Sequence, residues 1–166
     1  MKRPLQAIRS PATDLLAVPG AAIILVAMDA LIENSIRVEI YRVRDGAAAS
    51  GPFRNLVVLR QGPDLSVRQH SSIKRLLLDP GTFASRQGEG VFDSGILFRF
   101  YSGEDVGDVA VCFVSGEVDF VHHTATTSAA SESGAASLTA DAFAELIRFA
   151  RKVFPNDSEL ETLHPS

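Results

Sequence analysis

Cysteine is almost absent from this chain, and Cys112 is the only one. A lone thiol excludes an intramolecular disulfide and any zinc site built on several cysteines, and it fits a reducing compartment. Tryptophan is missing altogether, which with the scattered basic residues leaves no stacking platform for single-stranded nucleic acid. The longest apolar stretch, Leu15 to Met28, is interrupted by Pro19 and Gly20. It falls short of the roughly 20 residues that a membrane-spanning helix needs, so no membrane span is expected. Basic residues are not in excess: 16 Lys and Arg stand against 20 Asp and Glu, a formal net charge of -4. A nucleic-acid-binding domain is usually basic, and no nucleic-acid partner is expected here. Also missing are a phosphate-cradling glycine loop, a nucleophile elbow, a His-Glu-x-x-His and a Cys-x-x-Cys. No cofactor is implied.

What is present is core material. Of 166 residues, 46% are apolar and only 22% charged, which excludes wholesale disorder and suffices for one domain without staples. The N-terminal segment, residues 1–30, begins with basic Met1-Lys2-Arg3 and then turns apolar. Pro4, Arg9, Pro11 and Asp14 separate those two parts and no Ala-x-Ala site closes the run, so a buried first element is preferred over a signal peptide. The expected location is cytoplasmic, with export to the periplasm or cell envelope as the alternative.

Residues 31–158 read as a single α+β domain. Ile36–Val43 alternates, with Ile36, Val38 and Ile40 on one face and Arg37, Glu39 and Tyr41 on the other, the period of a half-buried strand. Ala47–Pro52 reads as a loop, and Leu56–Arg60 as a second strand closed by Gly62-Pro63. Ser66–Leu78 carries Val67, Ile73, Leu76 and Leu77 at helical spacing, and Asp79-Pro80-Gly81 ends it. Gly95–His123 contains three alternating segments joined by short turns, an antiparallel meander. Thr124–Ser137 is a run of small residues without periodicity and reads as a flexible Ser/Ala loop. A helix capped by Thr139 follows, with Phe143, Leu146, Ile147, Ala150 and Phe154 on one stripe. Residues 159–166 read as a tail. The expected architecture is an antiparallel sheet, built from the meander and the N-terminal strands, with amphipathic helices on one face.

Charge is uneven along the chain. Arg37, Arg42, Arg44, Arg54, Arg60, Arg68, Lys74 and Arg75 crowd one stretch, while Glu89, Asp93, Glu104, Asp105, Asp108, Glu117 and Asp119 crowd another. Neutralisation across neighbouring strands is the preferred reading, and a basic face for an acidic partner is the other.

Candidate chemistry comes from the hairpin. A two-residue turn at Ser115-Gly116 sets Val114 opposite Glu117, Cys112 opposite Asp119 and Asp108 opposite His123, all on one face. Asp108, Glu117, Asp119 and His123 are then the candidate metal ligands, and Cys112 is the candidate nucleophile. A solvated polar face explains the same carboxylates. Asp119 beside the thiol opposes thiolate formation, so a buried core cysteine is the preferred reading of Cys112. His122 points with Val118 and Phe120 toward the core edge, with one nitrogen satisfied.

The segment Phe92-Asp93-Ser94-Gly95-Ile96-Leu97-Phe98-Arg99-Phe100, followed by Val109-Ala110-Val111-Cys112-Phe113, resembles a family of small bacterial proteins. Their pattern is F-D-P-G, an alternating strand, then C-F-x-C. The early strand Arg37–Arg42, the helix end Leu76-Leu77-Leu78-Asp79 and the closing Phe154-Pro155-Asn156-Asp157 with Glu159 are similar to it in the same order, over residues 30 to 163. The resemblance implies the fold, and members often follow an export or lipoprotein signal; it brings no established activity. Ser94 stands where the pattern has proline and Ser115 where it has the second cysteine, so paired-thiol chemistry is not implied for this chain. The expected function is a non-catalytic binding or protein-interaction module whose partner, protein or small ligand, the sequence does not name. The alternative is a thiol- or metal-dependent protein using the Cys112/Asp119/His123 face.

Overall fold

The computed structural model describes residues 19–46, 56–84, 92–123 and 132–164. The chain runs α1 (Pro19–Asn34), β1 (Arg37–Asp45), β2 (Leu56–Gln61), α2 (Val67–Leu78), a 3-10 turn (Pro80–Thr82), β3 (Phe83–Ala84), β4 (Ser94–Ser102), β5 (Asp105–Cys112), β6 (Glu117–His123), β7 (Glu132–Leu138), α3 (Ala140–Val153) and α4 (Ser158–Thr162). The strands form one seven-stranded sheet in the order β2-β1-β4-β5-β6-β7-β3, antiparallel throughout. The protein is α+β with an antiparallel sheet, as the alternating segments predict.

The helices start and stop where side chains can satisfy orphan backbone groups. Ser66 and Gln69 form a reciprocal capping box on α2. Asp79 then closes α2 and its carboxylate accepts from Gly81 N–H, 2.8 Å, opening the 3-10 turn. Thr139 caps α3 through Ala142 N–H. Lys74 of α2 donates to the carbonyls of Glu33 and Ser35 at the end of α1, tying the two helices together.

Strand alternation divides the sheet into two unlike faces. Val38, Ile40, Ile96, Phe98, Phe100, Val109, Val111, Val118, Phe120 and Ala136 point to the side on which Met28, Leu31 and Ile32 of α1, Ile73 and Leu77 of α2 and Leu146, Ile147 and Ala150 of α3 are buried in one core. Phe120 meets Phe83 edge-on at 5.7 Å and Phe98 packs on Phe149 at 6.0 Å. At Gly107 α1 comes so close that a Cβ would stand 2.8 Å from Leu31 Cδ2 and 3.0 Å from Met28 Cε. Opposite lies a second small apolar cluster of Val43, Leu97 and Ala110 with Tyr41, Leu56 and Phe92 against it; among the described residues no helix packs there, and in that sense it is the helix-free face.

One charged residue is buried on the helical face among the described residues. Arg42 continues the phase of Val38 and Ile40, so its guanidinium is buried with 3% of its side chain exposed. It donates to Asp157 (2.8 Å), to Glu159 (2.5 Å) and to the carbonyl of Gly95 (2.5 Å), and it lies over the Phe113 ring, 4.9 Å from the centroid. Ser94 donates to the other oxygen of Glu159. Burial works against ionisation of Asp157, but the bond from Arg42 and the Leu160 amide outweigh it and hold its carboxyl below the ordinary range.

Several expectations need correction. Thr124–Ser137 is not all loop: residues 132–138 form β7, because the small side chains of Gly134–Ser137 fit beside β6 in register, and positions 124–131 lie outside the described residues. The boundary at residue 30 cuts through α1, whose Met28, Leu31 and Ile32 share one buried stripe; residues 1–18 lie outside the described residues, as does the segment 47–52 expected to be a loop. The expected tail at 159–166 begins inside α4, with Leu160 buried and Glu159 bound to Arg42. Val67, the first residue of α2, and Ile36, just ahead of β1, are both 83% exposed, so neither joins the core. The turn after β5 spans Phe113–Gly116 rather than two residues. Phe113 N–H bonds to Ser94 O at 2.8 Å and Gly116 N–H to Cys112 O at 3.1 Å, with Gly116 at φ 67°.

Two outcomes test this packing. Phe120→Ala and Leu146→Ala each lower the unfolding free energy by about 2–5 kcal/mol, and urea midpoints equal to wild type would contradict the helix-on-sheet core. Arg42→Met costs about 3 kcal/mol, the low end for breaking a buried pair, because Glu159 keeps access to water with 44% of its side chain exposed. Asp157 has a folded pKa below its unfolded value, so its contribution is complete at neutral pH and is lost as pH falls through the folded pKa. The stability difference between wild type and Asp157→Asn therefore holds constant above about pH 5 and shrinks below about pH 4.

Candidate functional site

The longer turn slides the hairpin by two residues from the expected register: Ala110 faces Asp119, Asp108 faces Val121 and Val106 faces His123. A slip of two preserves the faces, where a slip of one would exchange them. Asp108, Cys112, Glu117, Asp119 and His123 therefore do share the helix-free face. They do not form one site. Asp108 and Cys112 are four residues apart on one strand, about 13 Å, and among the described residues no group of three or more His, Cys, Asp or Glu side chains is placed to hold a metal ion. Cys112 is 1% exposed, beside Gly95 of β4, which suits a small core residue more than a nucleophile.

Asp108 and His123 are brought together, with His123 Nε2 3.1 Å from Asp108 Oδ2. The stronger partner of Asp108 is Arg99, directly across on β4, whose Nε and Nη2 donate at 2.7 and 2.8 Å in a bidentate fork. The bonds to Asp108 keep Arg99 firmly cationic, above its ordinary range. Asp108 is itself buried, with 3% of its side chain exposed.

Next to this pair lies a second polar group. Tyr41 donates to Glu39 Oε2 at 2.6 Å and Tyr101 to the same oxygen at 2.5 Å. Arg37 reaches Glu39 Oε1 at 2.9 Å and lies 4.0 Å over the Tyr101 ring. Burial opposes the Glu39 charge, yet the two phenols and Arg37 hold its carboxyl below the usual range. Burial and the Glu39 carboxylate push the Tyr41 phenol up to about 12.

A cavity of about 160 Å³ opens beside these groups. Tyr41, Val43, Leu56, Val58 and Leu97 give it apolar walls, and Arg99 and Asp108 its polar end. Near neutral pH Tyr41 is a hydrogen-bond donor and Arg99 a fixed cation, so neither suits proton transfer to or from a substrate, which works best with a pKa near the operating pH. His122 lies on the helical face, half-buried, with Nε2 lacking a hydrogen-bond partner among the described residues, so the satisfied nitrogen expected of it is not Nε2.

Arg37, Glu39, Tyr41, Arg99 and Tyr101 were legible as the outward phase of two strands, and only their mutual contacts turn a solvated face into a site. The signal for Arg42 was a charge on the buried phase. No protein-family model, curated protein or solved structure matches this chain.

The placement of Cys112 has a direct check. Its reaction with a disulfide reagent at neutral pH is expected to run far slower than that of free cysteine and to accelerate in urea as the strand opens. Reaction at the free-cysteine rate in buffer would return Cys112 to the list of reactive groups.

Proposed function

We propose that the protein is a non-catalytic binding module whose helix-free sheet face, around Tyr41 and Arg99, receives a partner. The observation that carries this reading is the cavity: apolar walls that run out onto exposed β2, ending at a guanidinium locked to Asp108. Tyrosine and arginine over a small apolar floor are the residue types that dominate binding hot spots. Arg99 spends Nε and Nη2 on Asp108, and its Nη1 donors make no hydrogen bond among the described residues, which leaves them for an acceptor on a ligand. A buried thiol, a high-pKa phenol and a paired guanidinium support binding better than turnover. The basic N-terminal strands favour an acidic protein surface over a nucleic acid, given the chain's overall negative charge.

Site-specific photo-crosslinking tests this. A benzophenone side chain at position 58, beside the cavity, is expected to capture one partner in stoichiometric yield from an extract of the source cells, and the same group at position 104 in the β4–β5 turn is not. Equal capture from both positions, or measurable turnover of a substrate, would overturn the reading.

A further inference from the structure

An open sheet has two edges, and these two differ. One ends in β3, only Phe83–Ala84, and so short an edge strand offers little to pair with. The other is β2, Leu56–Gln61, with Val57 44%, Val58 53% and Leu59 48% exposed. It contains neither proline nor lysine, so Arg60 and one bulge are what blunts it, and among the described residues no strand pairs with its outer side. The β1–β2 register shifts between Arg42 and Val43, which gives β2 one bulge. It sets Val58 opposite Val43 and Val57 opposite Arg44, with Arg60 opposite Arg42. Leu56 and Val58 therefore border the cavity, while Val57 lies on the helical side between Arg44 and Arg60.

Two of the three guanidiniums at this edge differ from the third. Arg42 is consumed by Asp157 and Glu159. Arg44 and Arg60 are exposed and make no ion pair among the described residues; Arg60 only lies over the Phe154 ring, 5.2 Å from its centroid. Two carboxylates lie at this end of β1: Asp45, opposite Leu56, and Asp93, whose carbonyl accepts from the Asp45 amide. Two exposed guanidiniums outside any ion pair among the described residues favour acidic over basic side chains on an incoming strand.

We propose that β2 is a strand-addition site for an extended segment of a partner protein that is apolar on one face and acidic on the other. This rests on the helix-free face being a binding surface and names what it binds. The incoming main chain satisfies the outer N–H and C=O groups of β2, and the period-2 alternation of its side chains supplies selectivity. Side chains on one face join Val58 at the mouth of the cavity. Those on the other meet Arg44 and Arg60, where Asp or Glu fits and Lys is repelled. Pairing with a second copy is disfavoured, since it gathers both copies' Arg44 and Arg60 about one axis.

The experiment uses the full chain and two labelled hexapeptides, Val and Glu alternating in one and Val and Lys in the other. The Val/Glu peptide is expected to bind with an affinity that falls as salt rises, about tenfold or more tighter than the Val/Lys peptide, and to slow hydrogen exchange of β2 amides. In the Arg44→Glu/Arg60→Glu variant, with an unchanged melting temperature as the control for folding, the preference reverses. Equal binding of the two peptides, an unreversed preference, or binding without protection of β2 each overturns strand addition. So does sedimentation of the free protein as a dimer that protects β2. If neither peptide binds while crosslinking from position 58 still captures a partner, strand addition falls and the binding face stands; if both fail, the binding-face reading falls with it.

Discussion

A guanidinium taken out of water must find acceptors or cost several kcal/mol, and that constraint at Arg42 organises one end of the molecule. Its donors reach Asp157 and Glu159 at the C-terminal turn and the Gly95 carbonyl in β4, and its flat face covers Phe113 at the head of the hairpin turn. Four segments distant in sequence therefore meet at one side chain. Lysine, a single ammonium without a planar fork, could not serve all of them. Asn156 adopts φ 65°, and this left-handed step just after Pro155 brings Asp157 and Glu159 back to the sheet.

The same clamp separates the roles of the two sheet faces. With the helices and the C-terminal turn fixed to one side, that side is dry and carries the stability. The other side is held by side-chain pairs across strands: Arg99 with Asp108, and Glu39 with its two phenols and Arg37. Such pairs are worth less than a packed core, but each charge in them has a partner of opposite sign or a phenol donor, which holds the side chains in place. Together with the exposed β2 edge, this supports reading that side as the one given over to recognition.

Much of the fold was legible because period-2 alternation is a strong signal. β1, β4, β5 and β6 carry it, and both α2 and α3 announce themselves by caps and a terminating proline. β7 was hidden because Gly, Ala and Ser have no hydrophobic contrast to alternate; only packing against β6 makes them a strand. The hairpin turn was misread for a related reason. Ser115-Gly116 has good turn chemistry, but Phe113 is buried beneath Arg42 and its N–H bonds to Ser94 of β4, so the turn begins at Phe113. The site was half legible: residue faces followed from phase, while the contacts among Glu39, Tyr41 and Tyr101 need the register between β1 and β4, which no local pattern encodes. Arg42 is the instructive case, since a charge in core phase signals a buried partner, and Asp157 and Glu159 lie more than a hundred residues away.

The shared carboxylate has a spectroscopic consequence. The chain has no tryptophan and two tyrosines, and both phenols donate to one oxygen of Glu39. Tyrosine emission from the whole protein therefore originates in this single cluster, where a hydrogen-bonded carboxylate quenches it. Anything that draws Glu39 away from the phenols brightens the protein, so the helix-free face carries its own indicator, readable without a label.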